Sequence, residues 1–168
     1  PYKKVNIPET LVIHIRSGDI FNEGIHQNYV QPPLNYYKKI IDEVNPSRVI
    51  IVTQKDRSNP CINELIKWDS NITVQCGTLE QDVSTILSAE KLVIGFGTWG
   101  WSLSLLSPSI NSLWCPRICT DILDSNFQRE PFRIKRYDFE NYIRIGDWKC
   151  SEEQKNIMIG DVNVIQTR

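Results

Sequence analysis

Leu11-Val12-Ile13-His14-Ile15-Arg16-Ser17-Gly18-Asp19 is the stretch whose reading decides the fold. Leu11 to Arg16 is apolar and rich in β-branched residues, the pattern of a strand buried on both faces. It ends on basic side chains and runs into a loop from Ser17 to Gln31, rich in Gly, Asn and His. Pro32-Pro33 then opens a helix, since proline suits a first turn. That helix, Leu34 to Val44, carries Tyr37, Ile40, Ile41 and Val44 at helical spacing. Asn45-Pro46 stops it.

The same unit repeats downstream. Arg48 to Thr53 reads as a second strand, and Cys61 to Trp68 as a helix with Ile62, Leu65 and Ile66 inward. Ile72 to Cys76 is a third strand, followed by a helix from Leu79 to Ala89 with Val83, Ile86 and Leu87 on one face. Leu92 to Phe96 is a fourth strand, Trp99 to Leu106 a fourth helix ended by Ser107-Pro108, and Asn111 to Cys115 a short fifth strand. Strands alternating with helices predict an α/β domain, a parallel sheet of about five strands with helices on both faces and right-handed crossovers. Beyond Pro116 the pattern dissolves. Residues 117–168 read as a polar and aromatic extension, with Tyr137, Phe139, Tyr142 and Trp148, and a short helix around Ser151 to Ile159 packed back on the domain.

Bulk properties narrow the function classes. The chain has 168 residues, enough for a single domain with one sizeable core. A net charge of -1 gives no general attraction to nucleic acid or to an anionic membrane surface. No apolar run approaches the ~20 residues that cross a bilayer. Pro1-Tyr2-Lys3-Lys4 reads as the start of an excised domain or a processed chain, so localisation stays open. The five cysteines, Cys61, Cys76, Cys115, Cys119 and Cys150, favour reduced thiols in a cytoplasmic protein. Cys115 and Cys119 have no second Cys or His pair at zinc-finger spacing, so no metal site is expected. Asn71-Ile72-Thr73 is a glycosylation sequon if the chain is secreted.

In open parallel sheets, ligands lie outside the carboxyl ends of the strands. Three segments there carry chemistry. In His14-Ile15-Arg16-Ser17-Gly18-Asp19, strand alternation puts His14 and Arg16 on one face. A guanidinium presents planar, paired donors that match phosphate oxygens. Gly18 lets the backbone turn close to a ligand, and Asp19 can hold the arginine or the loop. In Gly95-Phe96-Gly97-Thr98-Trp99-Gly100, small residues at a helix start offer free N–H groups to phosphate, and Thr98 adds a hydroxyl. This segment also fits G-x-G-x-x-G. It follows the fourth strand rather than the first, with no acid at the next strand end, which argues against NAD. In Gly77-Thr78-Leu79-Glu80-Gln81-Asp82, Thr78 and Gln81 fit a capping box. Asp82 can receive the donors of a guanine, or simply complement the helix dipole, and the residues alone favour the second role.

Together the three segments resemble the α1,2/α1,6- and O-fucosyltransferase superfamily, whose first motif is H-x-R-x-G-D. The resemblance covers residues 11–115. It implies a Rossmann-like domain forming the C-terminal half of a GT-B fold, with residues 1–168 one nucleotide-sugar-binding domain and 116–168 its extension. It implies a glycosyltransferase that transfers fucose from GDP-fucose to a glycan acceptor with inversion. Arg16 would grip the diphosphate, His14 would lie beside the nucleotide or phosphate, Asp82 would read guanine, and Gly97 and Thr98 would cradle the β-phosphate. Gly97 stands where the family has a second Ser. Glu23 sits near the position of a general base, alongside a reading as a solvated loop glutamate. His26, Tyr29, Gln31 and Tyr36 could touch sugar or acceptor, although Tyr36 and Tyr37 fit better as anchors of the first helix. Without a D-x-D motif, transfer is expected to be independent of metal or other cofactor. The acceptor-binding domain would be a missing partner, and the Golgi lumen the location if the enzyme is secretory. The alternatives are a GT-B transferase for another nucleotide sugar and a non-catalytic nucleotide- or glycan-binding module.

Overall fold

The computed structural model describes residues 9–22, 24–117 and 133–167. The elements run β1 (Thr10–His14), a 3-10 turn (Gly18–Phe21), α1 (Leu34–Val44), β2 (Arg48–Val52), α2 (Pro60–Trp68), β3 (Ile72–Gln75) and α3 (Leu79–Ser88). They continue with β4 (Lys91–Ile94), α4 (Thr98–Leu106), β5 (Ser112–Pro116), β6 (Arg133–Glu140), α5 (Glu152–Ile159) and β7 (Asn163–Thr167).

The strands form one seven-stranded sheet in the order β3-β2-β1-β4-β5-β6-β7. Strands β1 to β6 are parallel to their neighbours, and β7 pairs antiparallel with β6. The fold is a Rossmann-like α/β sheet, with more strands than the expected five. The pattern does not dissolve after Pro116: Arg133–Glu140 extends the parallel sheet and Asn163–Thr167 closes its edge. The physical reason is partial cover. In β6 only Tyr137 is fully buried, so charged residues are tolerated between the apolar ones and no apolar run marks the strand.

Alternate strand residues feed two cores. Leu11, Ile13, Val49, Ile51 and Val93 pack with Tyr37, Ile40 and Ile41 of α1, Ile62 and Leu65 of α2, and Met158 of α5. Val12, Ile50, Val52, Leu92 and Ile94 pack with Val83, Ile86 and Leu87 of α3 and Leu103 of α4. Each fully buried side chain of this size contributes about 1.5–3 kcal/mol. Ile66, expected inward, is 37% exposed, whereas Ile62 and Leu65 are fully buried. Tyr36 is buried as an anchor, its hydroxyl donating to the Ile94 carbonyl at 2.9 Å. Edge-on contacts with Tyr37, Tyr137 and Phe139 hold the Tyr36 ring.

Local signals fix the helix starts. Asn59 caps α2 by accepting from Cys61 N at 3.0 Å, with Pro60 in the first turn. Thr78 and Gln81 form the expected capping box of α3. The four described cysteines, Cys61, Cys76, Cys115 and Cys150, are free thiols; Cys119 lies outside the described residues. Among the described residues, no helix is long and apolar enough to cross a membrane.

Candidate functional site

The strand order places the site. The chain winds outward from β1 to β3, then returns to lay β4 on the other side of β1. The connection after β1 leads to the α1 face and the one after β4 to the α4 face, which opens a crevice between them. His14 ends β1, flanked in register by Val52 of β2 and Ile94 of β4. A cavity of about 540 Å³ lies over these ends, bordered by His14, Arg16, Asp82, Gly97 and Thr98. Its volume is that of a small-ligand site. Residues far apart in sequence are therefore brought to one place, as their positions at strand ends predict.

Arg16 is the central cation. Its guanidinium lies 4.6 Å from the centre of the Tyr29 ring and 3.4 Å from Asp19 Oδ1. Its side chain is 24% exposed, while that of Asp19 is 70% exposed. Such a loose pair leaves the guanidinium free to take a second anion. A Cβ built on Gly97 would stand 3.6 Å from Arg16 Nη1, so arginine and glycine turn face each other across the crevice. Gly97 adopts φ 117° and ψ 155°, a region that essentially only glycine occupies. The conformation accounts for glycine where the resemblance expects serine. Gly97 precedes α4 as its cap without a side-chain hydrogen bond, and Thr98 is the first helical residue. The leading N–H groups of α4 and the positive end of its dipole thus point at the crevice.

The loop after β1 is held by the loop after β2. Ser17 N donates to Gln54 Oε1 at 2.6 Å, and Gly18 N to Ser58 Oγ at 2.9 Å. The Ser17 and Ser58 hydroxyls meet at 3.0 Å, Asn59 N donates to Ser17 Oγ at 3.0 Å, and Asn59 Nδ2 donates to the Arg16 carbonyl at 3.1 Å. Gly18 turns this loop at φ 75° and is not on the cavity wall. Its role, like that of Asp19, is to position Arg16.

His14 is buried and stacks at a tilt on Trp99, ring centres 4.7 Å apart. Burial, reinforced by the neighbouring Arg16 charge, lowers its pKa to about 4, so the imidazole is neutral at pH 7. It serves as a hydrogen-bonding wall, not as a second cation. Gly100 permits this: a Cβ there would lie 2.9 Å from His14 Nδ1. At the far side, Asp82 Oδ1 accepts from Gly77 N at 3.1 Å and from Gln75 Nε2 at 2.8 Å. Asp82 thus ties the β3–α3 turn with one oxygen while bordering the cavity, so both roles weighed from sequence remain compatible with its placement.

Several residues on the wall carry no distinctive sequence signal. Thr53, Gln54 and Lys55 follow β2, and Leu79, Phe96 and Trp99 add apolar surface. Thr53 is 4% exposed, and its Oγ1 has no hydrogen-bond partner among the described residues. Only the polarity of Thr53 at the end of an apolar strand hints at it. Tyr29 meets Arg16, whereas Gln31 is buried behind the site with Nε2 donating to the Val30 carbonyl at 2.9 Å. His26 contacts the Tyr29 ring at 5.8 Å. Glu23, the expected general base, lies outside the described residues. Comparison with protein-family models, curated proteins and solved structures returns no match.

Proposed function

We propose that this chain binds the nucleoside diphosphate of a nucleotide sugar and forms the donor-binding part of a glycosyltransferase, with GDP-fucose the favoured donor by resemblance. The observation that carries the reading is the convergence of Arg16 and the uncapped α4 N-terminus on one cavity. Both favour a diphosphate, one through paired donors and the other through backbone N–H groups. As the glycosidic bond to the diphosphate breaks, negative charge builds on the departing oxygen, and the same groups stabilise it without reorganising. Glu23 is the candidate base for the acceptor hydroxyl. Asp82, Gly77 and Leu79 form the end of the cavity suited to the base, with a carboxylate for ring N–H donors and an apolar side chain for the ring face.

The strand order is also that of dinucleotide-binding domains, but the ends of the strands argue against NAD. The Gly-rich turn follows β4, not β1, and the strand end after β2 reads Thr53-Gln54-Lys55, while the first acid beyond it, Asp56, sits in a turn and does not border the cavity. Calorimetric titration with GDP, GDP-fucose, UDP and NAD tests the proposal. Binding of GDP and GDP-fucose alone supports it, and UDP binding alone would keep the class and remove fucose. Arg16→Ala is expected to abolish GDP binding and leave the thermal midpoint nearly unchanged. Undiminished GDP binding by that variant would refute the clamp.

A further inference from the structure

A second cleft, about 350 Å³, opens over the ends of β5 and β6. Phe96 lines both this cleft and the larger cavity, so one ring is the wall between them. Its aromatic side is a ladder of edge-on contacts: Phe96 to Phe139 at 6.1 Å, and Phe139 to Tyr142 at 5.7 Å. All three rings are only half-buried. Tyr142 is fixed by its hydroxyl, which donates to the Gln31 carbonyl at 2.6 Å. Its polar side is the ion pair of Arg117 Nη1 with Asp138 Oδ2 at 2.9 Å, plus exposed Arg144.

The ligand chemistry follows from this pairing. Partly open aromatic rings offer an apolar, electron-rich surface to polarised C–H groups. A guanidinium and a carboxylate side by side offer donors and acceptors together, which suits adjacent hydroxyls, each both donor and acceptor. A phosphate or carboxylate ligand would meet the Asp138 charge, and a purely apolar one would strand the ion pair. The geometry points to a hexopyranose subsite in this cleft. It rests on the nucleotide-sugar reading for its place in the reaction: the base lies over β3, the diphosphate between β1 and β4, and a sugar continues along the sheet past Phe96. The sugar has two possible sources, the transferred residue of the donor or the terminal residue of the acceptor.

The test titrates the parent chain, Asp138→Asn and Arg144→Ala with GDP, GDP-fucose and methyl β-D-galactopyranoside, the sugar followed by saturation-transfer NMR with and without GDP. Loss of one charge-assisted hydrogen bond is expected to weaken sugar binding by on the order of tenfold. GDP-fucose weakened with GDP unchanged supports a donor-sugar subsite. GDP-fucose unchanged with the galactoside signal lost supports an acceptor subsite. GDP and GDP-fucose weakened alike, or neither sugar affected, overturns the assignment. If the parent chain fails to bind GDP, the nucleotide reading falls by itself. The galactoside signal then decides the cleft alone: its presence in the parent and loss in the variants sustains the subsite, and its absence in the parent overturns it.

Discussion

Acidification should unlock the fold at His14. The imidazole titrates near 6.5 when exposed and at about 4 in the folded chain, through burial first and the Arg16 charge second. The folded pKa is the lower one, so the unfolded chain binds the proton more readily. Stability from this residue is complete above pH 6.5 and is lost as pH falls from 6.5 toward 4. Linkage then gives about 2 kcal/mol lost between pH 7 and 5, and about 3 kcal/mol by pH 4. Urea denaturation at closely spaced pH values measures it, with His14→Gln as the reference for all carboxylates that titrate in the same range. The parent should lose about 2 kcal/mol more than the variant between pH 7 and 5. Since the chain has two histidines, the signal missing from the variant's NMR spectrum assigns His14, and its titration midpoint gives the pKa directly. Equal pH slopes in parent and variant, or a midpoint near 6.5, would refute the argument that His14 is held neutral.

Other substitutions test the scaffold. Gly100→Ala, which would gain helix propensity at an open position, should instead cost about 1–3 kcal/mol by forcing His14 and Ile94 aside, read by thermal denaturation; a stabilised variant would show that α4 can move away. Asn59→Ala removes both the α2 cap and the support of the Arg16 carbonyl, and should lower stability by about 2 kcal/mol in urea; a loss within error would deny those bonds any weight. Thr53→Val removes a buried hydroxyl without a partner and should raise stability by about 1 kcal/mol while weakening any ligand that hydrogen-bonds Oγ1, so a destabilised Val variant would contradict the orphan status.

The interior strands were legible because burial on both faces leaves no choice of residue. Val49 to Val52 is continuous apolar sequence, and α1 spans Leu34 to Val44 as its Pro and Asn boundaries predict. At the sheet's far edge the constraint relaxes. β7 buries Val164 and leaves Ile165 38% exposed among polar neighbours, so the segment carries too few apolar positions for its length to read as a strand. The site was legible where an unusual residue interrupts a buried run, as Arg16 does after Ile15. It was not legible where ordinary residues reach the wall through geometry alone, as Trp99 does against His14. The approach of Gly97 to Arg16 depends on β4 lying beside β1, a pairing that no local pattern encodes.

The hydrogen bonds that join Ser17 and Gly18 to Gln54, Ser58 and Asn59 have a kinetic corollary. A loop already ordered before encounter adds no slow isomerisation to capture, and little configurational freedom remains to be lost. Observed association rates for a nucleotide should then rise linearly with its concentration, without the plateau that a preceding closure imposes. Differences in affinity among nucleotides would fall on their dissociation rates.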